Sequence, residues 1–111
     1  MENLEYHWNE TIKKLEPVFG EDIDLQSALF IIGIQELGKG PQKFNKRQKL
    51  EVMHIAVCRL LSDYGFYQFK GYDEDNWPHY ERVEKLPNLN SSDQEKLMKE
   101  AVINYLEKQA I

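Results

Sequence analysis

Cysteine is almost absent from this chain: Cys58 stands alone, so no internal disulfide can form. Long apolar runs are absent too. Ala28 to Ile34 contains only apolar residues and Gly, but it is far short of the roughly 20 residues that cross a bilayer. A membrane partner is therefore not expected. Met1 is followed by ENLEYHWNE, without the basic-then-apolar order of a secretory leader. With the lone thiol, this points to the cytoplasm.

The common chemical signatures are missing as well. GKGPQKFNKR lacks the G-x-x-x-x-G-K-[ST] pattern of a phosphate-binding loop, and no Rossmann fingerprint exists. No Ser/His/Asp arrangement can be proposed with any specificity. The expectation is a chain with no catalytic residues, no metal and no cofactor. Net charge is −5, which argues mildly against a dedicated nucleic-acid binder.

What is present is an ordinary globular composition, 41% hydrophobic and 30% charged, in 111 residues. That length fits a single domain, 1–111, with a core that needs no staple. The expected architecture is α+β and mostly helical. Four helices surround a central apolar helix at about 24–38, with one aromatic β-hairpin at about 66–84.

The central helix is read from LQSALFIIGIQEL, residues 25–37. Asp24 can accept hydrogen bonds from the first free N–H groups, and Gly38 can turn left-handed past the end. Thirteen residues between these signals suit a helix better than a strand. Gly33 weakens a helix by about 1 kcal/mol relative to Ala, which close approach of another backbone would explain.

An amphipathic helix over 3–16 precedes it, with Leu4, Trp8, Thr11/Ile12, Leu15 and then Phe19 at helical spacing. Pro17 is expected to end it near Glu16. GKGPQKF, with two glycines and Pro41, reads as irregular. Asn45, with Gln48 three residues on, then caps a third helix running to about Asp63, where Gly65 stops it. Its expected apolar stripe is Leu50, Met53, His54, Val57, Leu60, Leu61 and Tyr64. Leu86 to Asn90 is a connector. Ser92 and Glu95 form a capping box for a last helix, Asp93 to about Lys108, with Leu97, Met98, Ala101, Val102, Tyr105 and Leu106 inward.

Seven of the 13 aromatic residues fall between Tyr64 and Tyr80. Strands favour aromatics, so Phe66–Tyr72 and Trp77–Glu84 are expected to pair across an acidic turn, residues 73–76. Pro78 must sit on an edge or open its strand. Aromatic faces usually join the core, and an exposed remainder would mark a protein partner. Trp77, Tyr72 and Tyr80 are the candidates. Stacking of RNA bases is the alternative use of such a face, though no RNA recognition-module pattern is present.

Charge is unevenly placed. Residues 1–38 carry eight acids and two bases, whereas residues 39–49 carry five bases and no acid. Lys39, Lys43, Lys46, Arg47 and Lys49 lie around a helix start, where free N–H groups favour anions. Bases there oppose the helix dipole. They serve either to bind RNA or another polyanion, or only to balance the acidic N-terminal third.

Two smaller clusters have a chemical reading. His54 and Cys58, four apart, share a helix face that Zn²⁺ could bridge, but the chain holds no second Cys and no HxxxH. The bland reading makes Cys58 a small buried hydrophobe. Asp73, Asp75 and His79 could hold a divalent ion in a metal-dependent enzyme, yet the EF-hand pattern is missing. A solvated turn accounts for them as well.

Four stretches, Gln35–Gly38, Met53–Ala56, Asp73–His79 and Gln94–Ala101, resemble small uncharacterised proteins of Bacteroidetes bacteria. That resemblance spans about 35 to 101 and implies no activity. The expected function is a non-catalytic cytoplasmic module that binds a protein partner. Polyanion binding ranks second and the metal-dependent enzyme a distant third. Oligomeric state is not legible.

Overall fold

The computed structural model describes residues 3–40 and 42–109. It contains α1 (Leu4–Phe19), α2 (Leu25–Leu37), α3 (Lys46–Ser62), β1 (Tyr67–Tyr72), β2 (Pro78–Arg82) and α4 (Ser91–Lys108). This is the expected mostly helical α+β fold. Pro41 lies outside the described residues. Among the described residues no helix is long and apolar enough to cross a membrane.

The chain packs as two compact units, Met1–Ala28 with Asn88–Ile111, and Leu29–Pro87. In the first unit α1 packs on α4. Trp8 and Ile12 of α1 and Ala101, Val102, Ile103 and Tyr105 of α4 are buried. Each Ile or Val side chain so removed from water contributes about 1.5–3 kcal/mol. Lys99 lays its ammonium 5.4 Å from the Trp8 ring centroid and 3.0 Å from Glu5 Oε1. The long lysine stem thus covers the indole while its charge finds a carboxylate.

Two boundaries in this unit depart from expectation. Helix α1 continues through Pro17 to Phe19 rather than ending near Glu16. Proline removes one N–H, but Gly20 N–H still donates to Glu16 O at 2.9 Å and closes the last turn. Phe19 extends the stripe yet is 53% exposed, because helical spacing does not say how far a neighbour reaches. Helix α4 starts at Ser91, capped by Asn90, whose side chain accepts from Asp93 N–H at 2.8 Å. Asn caps as well as Ser, and here it takes the role expected of Ser92.

Helix α2 starts where Asp24 predicts: Ser27 N–H donates to Asp24 Oδ1 at 2.8 Å. It ends at Gly38, whose φ is +70° and whose N–H donates to Ile34 O. In the second unit its Gly33 abuts α3. A Cβ at Gly33 would stand 2.2 Å from the Val52 carbonyl oxygen, so only glycine permits the contact.

Helix α3 carries the expected Asn45–Gln48 capping box. At its other end Gly65 N–H donates to Ser62 O and Phe66 N–H to Leu61 O, with Gly65 at φ +85°. These are the two bonds of a Schellman stop. The buried face, however, is Val52, Ile55, Ala56, Cys58, Leu60 and Leu61. The expected stripe is only partly right: Leu50 is 63% exposed and His54 is exposed. The helix has apolar residues on two faces, and the notch at Gly33 selects the one bearing Val52. Leu37, Val52 and Ile55 form a core with Phe30, Ile34, Phe44 and Trp77 against it.

The hairpin pairs Tyr67 with Arg82, Gln68 with Glu81 and Phe69 with Tyr80, then slips by one at a bulge before Gly71. Its strands are shorter than expected, but Val83 N–H still donates to Phe66 O at 2.9 Å. Pro78 opens β2, where its missing N–H costs no ladder bond.

Candidate functional site

The bulge decides which aromatics share a face. Strand residues alternate sides, so Tyr72 would oppose Phe69 in a regular ladder. One extra residue returns it to the side of Phe69 and Tyr80. Gly71, at φ +119°, makes the local backbone accessible. The Phe69 ring then packs edge-on against Tyr72 at 5.2 Å and against Tyr80 at 5.5 Å between centroids. Phe69 is 46% and Tyr72 63% exposed, whereas Tyr80 is half-buried. Burial, and then the carboxylate of Glu36, push the Tyr80 phenol up to about 12.

Trp77 is placed differently. It is half-buried on the Leu37–Val52–Ile55 core, edge-on to Phe44 at 6.4 Å, with Phe44 in turn edge-on to Phe30. Of the three hairpin candidates only Tyr72 is freely presented, and Trp77 is chiefly a packing residue. Phe69 is the exposed aromatic that residue type alone did not single out.

The acidic turn is built around Asp73. Its Oδ1 accepts from Asp75 N–H at 2.9 Å and Trp77 N–H at 3.0 Å, and its Oδ2 lies 2.9 Å from His79 Nε2. The Trp77 bond first, then His79, hold the Asp73 carboxyl below its ordinary value. Asp73 is thereby committed to shaping the turn. Lys39 crosses to this turn, donating to the Asp75 carbonyl and lying 5.6 Å from the Trp77 ring centroid.

The other bases remain around the start of α3. Lys43, Lys46, Arg47 and Lys49 are exposed. Arg47, 88% exposed, reaches Glu51 Oε1 at 3.4 Å. The five bases are thus not one free surface: Lys39 serves the hairpin and Arg47 has an acid one turn on.

Helix α3 and the hairpin enclose a cleft of about 480 Å³. From α3 come Gln48, Glu51, His54, Ile55 and Cys58; from the hairpin come Asp73, Asp75, Trp77, Pro78, His79 and Tyr80. The two clusters noted separately in the sequence therefore line one cavity. Cys58 Sγ lies 3.4 Å from His54 Nε2, and burial pushes the thiol up to about 11. Such a thiol stays protonated and is a poor nucleophile. Among the described residues no group of three or more His, Cys, Asp or Glu is arranged to hold a metal ion.

No protein-family model, curated protein or solved structure matches the chain.

Proposed function

We propose that this chain is a non-catalytic protein-interaction module of the cytoplasm, engaging its partner through the aromatic face of the hairpin. The observation that carries the reading is the Phe69–Tyr72–Tyr80 cluster. Two of its rings are exposed, and Phe69 packs edge-on against both of the others. Rigid aromatic side chains contribute large contact area at low entropic cost, and they concentrate binding energy at interfaces. Among the described residues the two strands pair only with each other.

Binding of RNA or another polyanion through Lys39, Lys43, Lys46, Arg47 and Lys49 ranks second. The engagement of Lys39 with the hairpin turn and of Arg47 with Glu51 reduces the charge available to it. The metal-dependent reading of Asp73, Asp75 and His79 is weaker still, because both Asp73 oxygens already hold the turn.

The test is affinity capture from nuclease-treated lysate, comparing the native chain with Phe69→Ala/Tyr72→Ala at low and high salt. A discrete polypeptide retained at high salt and lost in the variant supports the aromatic face. Nucleic acid recovered only at low salt, and lost in Lys46→Glu/Arg47→Glu, would replace this reading with the second.

A further inference from the structure

We infer that the cleft between α3 and the hairpin turn receives a cationic side chain, arginine or lysine, presented by the partner protein. This rests on the interaction reading above, and Tyr80 joins the two surfaces: it lines the cleft and packs on Phe69. The cleft has Glu51 on one wall and Asp73 and Asp75 on the other; among the described residues no Lys or Arg is part of its lining, though Lys39 touches two lining residues, Asp75 and Trp77. Its volume, about 480 Å³, is in the range of sites that enclose a ligand group.

The chemistry favours a long cation with an apolar stem. Ile55 and Pro78 offer apolar contact to methylenes, as snorkelling side chains require. The surroundings of Trp77 already hold a cation in this way: Lys39 sits over the indole while donating to the Asp75 carbonyl. Among the described residues the Asp75 carboxylate meets no side-chain donor. Among those residues Glu51 is paired with the highly exposed Arg47 alone, a solvent-screened contact that an incoming guanidinium displaces at little cost. His54 and His79 complete the walls. Each already faces a partner within the cleft, Cys58 and Asp73. An anionic side chain would meet three carboxylates and be repelled.

The experiment is an NMR titration of the purified, ¹⁵N-labelled full chain with an uncharged-flank peptide carrying one arginine. The expected result is saturable shifts centred on the Trp77 indole N–H and the residues around Glu51 and Asp75. Glu51→Gln/Asp75→Asn, which leaves the Asp73 staple intact, should weaken binding about fivefold, the loss of two exposed charge contacts. Unchanged amide resonances of Gly33 and Val52, which meet in the same unit as the cleft, show that the variant is folded. Equal shifts with the citrulline peptide, or unchanged affinity in the variant, would overturn the proposal. Equal affinity for ethylguanidinium alone would overturn the partner origin of the cation. Absent peptide binding alongside Phe69/Tyr72-dependent capture would sink the cleft but leave the aromatic face. Peptide binding with capture indifferent to Phe69 and Tyr72 would do the reverse.

Discussion

The Val52 carbonyl oxygen of α3 occupies the place where a side chain on Gly33 of α2 would begin. A Cβ there would be 2.2 Å from that oxygen and 2.6 Å from Val52 Cγ1. The contact sets the depth at which the two helices meet and so positions the helix that forms one wall of the cleft.

Gly33→Ala should therefore destabilise the fold despite the better helix propensity of alanine. Overpacking costs about 1–3 kcal/mol, against a gain of about 1 kcal/mol from propensity. The clash is with backbone, so Val52→Ala in the same chain should restore little. Urea unfolding of the single and double variants measures both; a Gly33→Ala chain as stable as the native one would refute the close approach.

Asp73 makes the hairpin sensitive to acid. Its carboxyl is held below the ordinary value by Trp77 N–H and His79, so its contribution is complete above the unfolded value of about 3.9. That contribution is lost as pH falls from there through the lowered folded value. Asp24, lowered chiefly by the Ser27 N–H it caps, acts in the same direction. In Asp73→Asn the Oδ1 acceptor survives while the charge facing His79 does not. Amide shifts of Asp75 and Trp77 should accordingly lose much of their acid titration in that variant.

Cys58 is 2% exposed, with its thiol pushed up to about 11 by burial. Alkylation at pH 8 should be slow in the native chain and fast in urea, with the rate following the unfolded fraction. Rapid labelling of the folded protein would show the cleft open down to the sulfur.

Tyr80 should ionise at about 12, and the phenolate absorbance gained near that pH should shrink in Tyr80→Phe. A phenol whose folded value is raised keeps its proton longer in the native state. Stability should therefore fall as pH rises from about 10, the unfolded value, toward 12. A Tyr80→Phe chain with the same alkaline stability loss would contradict this.

Much of the local structure was legible because local chemistry specifies it. Asp24, Asn45 with Gln48, Gly38 and Gly65 each satisfy or end a helix terminus within a few residues of themselves. The acidic turn and the opening of β2 at Pro78 follow from residue types in the same way. Gly33 signalled a close approach because nothing within its own helix needed it. Other features depended on partners distant in sequence. Both the Leu50 and the Val52 faces of α3 are apolar at helical spacing, and packing against Gly33 and against the hairpin chose between them. That Phe69 and Tyr72 share a face follows from a one-residue bulge, which reverses side-chain alternation without changing composition. His54 with Cys58, and Asp73 with Asp75 and His79, lie far apart in sequence. They became one cleft only because the hairpin folds back onto α3. Sequence alone determined most helix starts, stops and turns, since those bonds are local, but not the run of α1 through Pro17 or the capping of α4 by Asn90. Tertiary structure decided which faces are covered and which side chains share a cavity, since those depend on contacts between distant segments.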